Sequence, residues 1–255
     1  MYCSVTLEGE ELWLLADKAV YWPARRTLLI ADAHFGKASA YRSLGQPVPQ
    51  GTTTANLQRL DRVLDGFACE QVIFLGDFLH GPGSHASGTL GALRAWRDGK
   101  PDLAMTLIRG NHDKSAGDPP VDLRIEVVTE PLLMGPFALQ HEPDVHPSHH
   151  VMAGHVHPVY RLRGKGRQSL RLPCFLLGTQ VSLLPAFGAF TVGRASIRRQ
   201  VRAVAHPGGR ARLARSAEDN QVQVGREYHP REQGWPSGTR LKRQSGWVRA
   251  GQVQR

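Results

Sequence analysis

The chain has 255 residues, of which 41% are hydrophobic and 21% charged, and its formal net charge is +10. This length and composition are typical of one soluble globular domain with a full core. The longest apolar runs, such as residues 28–30 and 72–75, are far too short to cross a bilayer, which argues against a membrane-spanning protein.

The first predicted elements are β-strands. Residues 11–15 show alternation, and residues 27–31 are a mainly apolar run. The triplet Asp32-Ala33-His34 directly follows the second strand, so its Asp and His are expected at the carboxyl end of a buried strand. An Asp-x-His triplet alone is a weak signal.

A helix and another strand are predicted next. Thr52 or Thr53 can cap the helix, and apolar residues at positions 57, 60, 63, 64 and 67 form one stripe along it. Residues 72–75 form a continuous apolar strand, and its lack of alternation indicates burial on both faces. Gly76-Asp77 follows this strand, although such a pair often marks a simple turn.

The same arrangement recurs further along the chain. A second helix is predicted around residues 90–96 and a buried strand at residues 104–108. Gly110-Asn111-His112-Asp113 follows that strand and is a stronger signal than the first two motifs. Two consecutive prolines make residues 118–120 a loop.

The second half of the chain is mostly short strands separated by Gly or Pro turns. His141 and Gly154-His155-Val156-His157 each follow one of these strands. A two-sheet α/β sandwich flanked by helices satisfies both halves of the chain. The strands are predicted at residues 124–128, 137–140, 151–153, 170–176, 181–184 and 189–192.

The five motifs together supply carboxylate, amide-oxygen and imidazole groups. These ligands suit Mn, Fe, Zn or Ni rather than calcium. Two such ions about 3.5–4 Å apart clamp a phosphoryl group and activate a water molecule. A spare imidazole can then protonate the leaving oxygen. The motifs therefore predict a two-metal pocket that hydrolyses a phosphate ester.

In this order, the motifs resemble the signature of the calcineurin-like metallophosphoesterase superfamily over about residues 5–205. The resemblance implies a four-layer αββα sandwich of two mixed sheets, with the metals at the strand ends. It implies that Asp77 bridges two metal ions and that His112 is a general acid oriented by Asp113. The other implied ligands are Asp32, His34 and His157 for the first ion, and Asn111, His141 and His155 for the second.

Longer segments are similar to the PdeM family, named ligase-associated DNA damage response endonucleases. The similarity implies a bacterial DNA-repair setting beside a DNA ligase, a nuclease and a helicase. Two divalent ions are implied, with manganese expected and iron, zinc or nickel as alternatives. The residues themselves do not show that DNA is the substrate. The similar segments are residues 30–37, 75–80, 109–113, 141–143, 153–158 and 184–188.

Several further residues have two interpretations. Arg109 either pairs with a substrate phosphate, as a catalytic residue, or forms a salt bridge at the strand end. His80 either faces the pocket or is a loop histidine. Lys37 and Arg42 either line a path for a polyanion or lie on a solvated helix face. His146, His149 and His150 are expected on the surface or behind the ligands, and Cys174 is expected in the core.

The last part of the chain differs in composition. Residues 191–255 contain 14 basic and 4 acidic side chains, whereas the first 190 residues contain 18 of each, so the whole charge excess lies near the carboxyl terminus. Residues 1–215 are predicted to form the domain, and residues 216–255 a disordered basic tail. The tail either adds affinity for a polyanion or has no role.

The cellular location is expected to be cytoplasmic. The three cysteines, Cys3, Cys69 and Cys174, are odd in number and lack metal-type spacing, which favours reduced thiols. The N-terminus does not have a basic start followed by a long apolar stretch, so a signal peptide is not expected.

Three functional hypotheses remain open at this point. The leading one is a dinuclear metal-dependent phosphodiesterase, specifically an endonuclease on DNA. The second is hydrolysis of a small nucleotide or other phosphoester by the same centre. The third is a catalytically silent binding module, which the complete set of ligand residues disfavours.

Overall fold

The computed structural model describes residues 1–48, 50–163, 166, 168–191 and 203–205. The proposed domain boundary at residue 215 and the tail at residues 216–255 lie outside these residues. No helix in the described ranges is long and apolar enough to span a membrane.

The larger sheet has seven strands that lie side by side in chain order. The pairs from β1 to β4 are antiparallel, and the pairs from β4 to β7 are parallel. The strands are Tyr2–Leu7 (β1), Glu10–Leu15 (β2), Val20–Trp22 (β3), Thr27–Ala31 (β4), Gln71–Leu75 (β5), Ala104–Ile108 (β6) and Glu126–Val128 (β7).

The smaller sheet has six strands in the order β15-β13-β14-β10-β9-β8, and a separate hairpin pairs β11 with β12. Within this sheet β14, β10 and β9 are parallel to one another. The strands of the second half are Leu132–Met134 (β8), Phe137–Gln140 (β9), His150–Ala153 (β10), Val159–Arg163 (β11), Ser169–Pro173 (β12), Phe175–Leu177 (β13), Val181–Leu183 (β14) and Ala203–Ala205 (β15).

Four α-helices connect or follow the strands of the first half: Lys37–Ser43 (α1), Thr52–Gly66 (α2), Ser87–Asp98 (α3) and Asn111–Ala116 (α4). In α2, Leu57, Leu60 and Val63 are buried and lie on one face, as the stripe predicts. Together with Leu93 of α3 they pack against the larger sheet. The expected fold of two mixed sheets with flanking helices is confirmed.

Strand β4 shows why the central strands lack alternation. All five of its residues are buried. Leu28 and Ile30 belong to the core cluster shared with α2 and α3, whereas Leu29 belongs to the cluster between the two sheets. There it packs with inward residues of the smaller sheet, such as Phe137 and Met152. A strand covered on both faces favours apolar side chains at successive positions, as at Leu28, Leu29 and Ile30.

The predicted element boundaries are largely confirmed, with specific exceptions. The segment 170–176 is two strands in different sheets, β12 and β13. The strand at 189–192 is wrong for its described residues 189–191, which include a turn. The elements that were not predicted are the strands β1, β3, β8, β11 and β15 and the short helices α1 and α4.

The predicted Thr cap of α2 is also wrong. The helix begins at Thr52, after Gly51, and no side chain caps it. Gly51 has a φ of +77°, so the chain enters the helix through a left-handed turn. The hydroxyl of Thr53 instead accepts a hydrogen bond from the backbone N–H of Gly36 (3.3 Å), which ties α2 to the segment before α1.

Candidate metal centre

The polar motifs meet where the ends of the two sheets come together. β4, β5 and β6 are parallel to one another, as are β9 and β10. The motifs that follow the strands of one sheet therefore all lie at the carboxyl ends of those strands, on the same side of the sheet. The segment after β14 joins the sheets: Leu184 N–H donates to Ala153 O, and Phe187 N–H donates to Ala31 O, at 2.8 Å each. Both sheets therefore contribute to one site.

The first group of potential ligands is Asp32, His34 and His157, whose ligand atoms all lie within 4.8 Å of one another. Nε2 of His157 is 3.2 Å from Oδ1 of Asp32. The Asp32 carboxylate accepts hydrogen bonds from the backbone N–H of His155 at 3.2 and 3.0 Å. Asp32 is fully buried, and the backbone contact holds its carboxylate in place beside the imidazole.

The second group is Asp32, Asp77 and His141, again within 4.8 Å. The two oxygens of Asp77 face different imidazoles: Oδ1 is 3.5 Å from Nε2 of His141, and Oδ2 is 3.8 Å from Nε2 of His34. The backbone N–H of His112 donates to Oδ1 of Asp77 at 2.9 Å. Asp77 therefore lies between the imidazoles of the two predicted metal sites.

Asn111 and His155 extend the second group. Oδ1 of Asn111 is 2.8 Å from Nε2 of His141 and 3.1 Å from Nδ1 of His155, and the two nitrogens are 3.0 Å apart. Nδ1 of His141 lies 3.1 Å from the carbonyl oxygen of Leu75. If Nδ1 donates to this carbonyl oxygen, Nε2 keeps a lone pair that faces the cluster and is free to bind a metal ion.

The donor set fits divalent cations. Within the described part of the chain, the buried Nε2 atoms of His34 and His157 have no hydrogen-bond partner. Burial, with a further contribution from the charge of Lys37, lowers the pKa of His34 well below its ordinary value. Burial also lowers the pKa of His155. Neutral imidazoles that point lone pairs toward carboxylates are the ligands that first-row transition metals take.

The backbone at this centre is unusual. Five of the seven predicted ligands have a left-handed φ, between 46° and 63°: Asp32, His34, Asp77, His155 and His157. This region is uncommon for residues other than glycine, and such strain collects at functional sites. The turn after each strand is therefore shaped to aim side chains at the centre rather than to connect elements at the lowest energy.

Three motif glycines are required because the ligands crowd them. A Cβ on Gly76 would lie 2.1 Å from Nδ1 of His141, and one on Gly110 would lie 2.4 Å from Oδ1 of Asp77. A Cβ on Gly154 would lie 2.6 Å from an oxygen of Asp32. The glycine of each motif thus provides space for a ligand supplied by another motif.

His112 and Asp113 occupy the first turn of α4. Nδ1 of His112 lies 2.7 Å from the carbonyl oxygen of His80, and its side chain is 37% exposed. The Asp113 carboxylate accepts hydrogen bonds from the backbone N–H groups of Leu79 and Gly110, each at 3.0 Å. Asp113 therefore fixes the backbone that carries His112, while the His80 carbonyl oxygen, which the sequence did not reveal, contacts its ring.

Arg109 forms the salt bridge that was one of its two interpretations. Its guanidinium donates to both carboxylate oxygens of Asp118, at 2.9 and 2.7 Å. The two side chains are 31% and 48% exposed.

The remaining histidines differ from one another. His80 lies beside the site, with its Nδ1 3.4 Å from Nδ1 of His34, and burial lowers its pKa to about 4. His150 is buried in β10 and hydrogen-bonds to Ser182 at 2.8 Å, so the surface position, the first of its two expected positions, is wrong. His146 and His149 contact each other in the loop before β10, with ring centroids 5.0 Å apart. Cys174 is buried, as expected.

Comparison with known proteins agrees with this geometry. Residues 25–148 match the family model described as calcineurin-like phosphoesterase. The crystal structure of Pseudomonas putida nuclease MPE is 52% identical in sequence, with a TM-score of 0.74, and the match covers 82% of this chain and 98% of that one. The chain belongs to the calcineurin-like phosphoesterase family. It is a metal-dependent phosphodiester hydrolase.

Two other comparisons add nothing to this assignment. A protein of unknown function from Aquifex aeolicus is 18% identical, with a TM-score of 0.36, and the match covers 55% of this chain and 82% of that one. No curated protein matches the chain.

We expect Gly154→Ala to lower metal content and to destabilise the fold by about 1–3 kcal/mol, because the new Cβ would overlap the Asp32 carboxylate. Metal analysis and urea unfolding measure the two effects. Gly88→Ala in α3 is the matched control, because its Cβ would enter open space. Wild-type metal content in Gly154→Ala would contradict the crowding argument.

Proposed function

We propose that this calcineurin-like phosphoesterase is a dinuclear, metal-dependent endonuclease that cleaves DNA during bacterial DNA repair. The observation that carries the proposal is the position of Asp77, whose two oxygens face imidazoles from the two predicted ligand sets. The similarity to a nuclease over nearly the whole of that chain supports a nucleic acid as the substrate, and the family resemblance of the sequence motifs supports the choice of DNA. The family resemblance found in the sequence motifs supports the repair setting.

The proposed first ion is held by Asp32, His34 and His157, and the second by Asn111, His141 and His155, with Asp77 shared. Bound divalent ions would supply an activated water nucleophile and neutralise charge on the phosphate. Manganese is the proposed metal, with iron, zinc or nickel as alternatives, because imidazole, amide and carboxylate ligands suit each of them.

The chain's own residues position the reacting groups. Backbone N–H groups of His112 and His155 hold the Asp77 and Asp32 carboxylates. His112 is the proposed general acid: with Nδ1 engaged by the His80 carbonyl, its Nε2 is the atom left to protonate the leaving oxygen. Asp113 acts by holding the backbone of this turn. Arg109 remains a proposed catalytic residue only if substrate displaces Asp118 from its guanidinium.

We also propose a cellular setting and a second candidate substrate. Functional association with a DNA ligase, a nuclease and a helicase follows only from the family resemblance. A cytoplasmic location agrees with Cys3, Cys69 and Cys174, which are free thiols. A small nucleotide is the second candidate substrate, because the first 190 residues have no net charge to attract a polymer.

Hydrolysis of three substrates tests the proposed activity: bis-p-nitrophenyl phosphate, p-nitrophenyl phosphate and a labelled DNA strand, each with Mn²⁺ and with chelator. Manganese-dependent cleavage of the diester and of DNA is expected. Cleavage of the diester without DNA would favour the small-nucleotide alternative. A protein that binds no metal and cleaves nothing would contradict the proposal.

Asp77→Ala is expected to abolish hydrolysis and to lower metal content at both sites, because its carboxylate is shared between the two ligand sets. Activity assays and elemental analysis of the purified protein measure these changes. Asp144→Ala is the matched control, because Asp144 is exposed in the loop before β10. Retained activity in Asp77→Ala would rule out the shared position as a catalytic requirement.

His112→Asn is expected to slow turnover of diesters with poor leaving groups by about 10²–10⁴-fold and of nitrophenyl esters by much less. Only a poor leaving group needs the proton that Nε2 supplies. Paired kcat measurements on substrates of differing leaving-group pKa test this difference. An equal loss for both classes would remove His112 from the general-acid role.

A further inference from the structure

A row of aromatic rings runs from the metal centre to the helix α1. The rings of His112 and His80 are stacked, with centroids 4.6 Å apart and planes 25° apart. The ring of Tyr41 also stacks on His80, with centroids 5.6 Å apart and planes 20° apart. Phe190 contacts Tyr41 edge-on at 5.9 Å. All four side chains are partly exposed, so the row is a surface as well as a packing contact.

The position of Tyr41 is fixed by the close approach of α1 to the loop after β5. A Cβ on Gly36 would lie 2.6 Å from Ser84, and a Cβ on Gly83 would lie 2.9 Å from the Cα of Ala40. Ser84 Oγ in turn accepts a hydrogen bond from the backbone N–H of His80 at 3.1 Å. These contacts leave little freedom to α1, so the ring of Tyr41 is held in place before any substrate binds.

Lys37 lies on the same face of α1 as Tyr41, because residues four apart in a helix are neighbours. The backbone N–H of Lys37 donates to the carbonyl oxygen of His34 at 3.1 Å, which places the start of α1 beside the metal centre. A positive charge and an aromatic ring are therefore side by side at the edge of the metal centre. This pair matches the two parts of a nucleotide, the phosphate and the base.

We propose that Tyr41 and Phe190 bind an exposed nucleobase next to the scissile phosphodiester, with Lys37 near the adjoining phosphate. The inference rests on the proposed function and adds to it a protein contact with the base beside the cut. A base inside a duplex is covered by its neighbours, whereas an unpaired base can stack on a protein ring. Every base has such a face, so the contact would be tolerant of sequence.

The same row has a competing explanation, in which Tyr41 only supports the ring of His112 through His80. The two explanations differ in what the substrate must contain. A stacking surface contributes only when a base is present, and its loss raises KM. A support for His112 acts on every substrate, and its loss lowers kcat.

The experiment uses a single-stranded oligonucleotide with a mapped cleavage site and the same strand with abasic tetrahydrofuran residues flanking that site. Steady-state constants are measured with Mn²⁺ for the wild type and for Tyr41→Leu, which keeps apolar volume but removes the ring. Tyr41→Phe keeps the ring. Tyr2→Leu is the matched control, because Tyr2 is also a stacked tyrosine, with its ring centroid 4.3 Å from that of Trp13. Tyr2 also contacts Phe67, which precedes β5, whereas Asp77 follows β5, so Tyr2 lies at the opposite end of that strand from the metal centre.

The expected result is a loss of discrimination in Tyr41→Leu. The ratio of kcat/KM for the normal strand to that for the abasic strand should fall about 5- to 100-fold, mainly through KM. Tyr41→Phe and Tyr2→Leu should keep the wild-type ratio. An unchanged ratio in Tyr41→Leu, or an equal fall of kcat on both strands, would overturn the inference.

Failure of the proposed function would look different. A wild-type protein that hydrolyses bis-p-nitrophenyl phosphate but neither strand would not be a DNA endonuclease. This result would contradict both the proposed function and the nucleobase site. Cleavage of both strands by the wild type, with no effect of any variant on their ratio, would remove only the nucleobase site.

Discussion

The arrangement of the site depends on two buried carboxylates, those of Asp32 and Asp77. Parallel pairing of Ala31 with Leu75 brings the ends of β4 and β5 together, and each Asp follows within two residues. Burial raises the pKa of Asp77, and the charge of Asp32 adds to that effect. Two adjacent carboxylates with almost no exposure to water need nearby positive charge to remain ionised. The surrounding lone pairs of imidazole and amide groups indicate that metal ions, rather than protein cations, supply it.

Holding these groups together requires both sheets and a strained backbone. Imidazoles from β9 and β10 reach the carboxylates because the inward residues of the smaller sheet, such as Phe137 and Met152, pack against those of β4 and β5. Left-handed turns cost of order 1–3 kcal/mol each and persist only where the surroundings enforce them. The hydrogen bonds of the segment after β14 to Ala31 and Asp32 provide part of that enforcement. Core packing therefore determines ligand geometry directly.

The sequence indicated where the candidate ligands would lie because each motif that carries them follows a strand whose apolar pattern is local. Residues 27–31 and 104–108 are strands with those same bounds, since continuous apolar runs report burial on both faces. The errors concern contacts between distant segments. Nothing local to Thr53 shows that its hydroxyl meets Gly36, and nothing near His112 shows that the His80 carbonyl contacts its ring. Arg109 was ambiguous for the same reason, since its partner Asp118 lies in the loop after α4.

The exposure of the site residues shows which side of the metal centre is open to solvent. Asp32, Asp77 and His141 are almost completely buried, whereas the His112 side chain is 37% exposed and His155 is classed as exposed. A substrate must therefore approach past the imidazoles of His112 and His155. On the His112 side, the next surface that it meets is the stacked ring of His80, followed by α1. The walls beside the metal centre on this side are rings rather than charged side chains alone, and for this reason we propose that the substrate is a phosphodiester with a planar neighbour rather than an isolated phosphate.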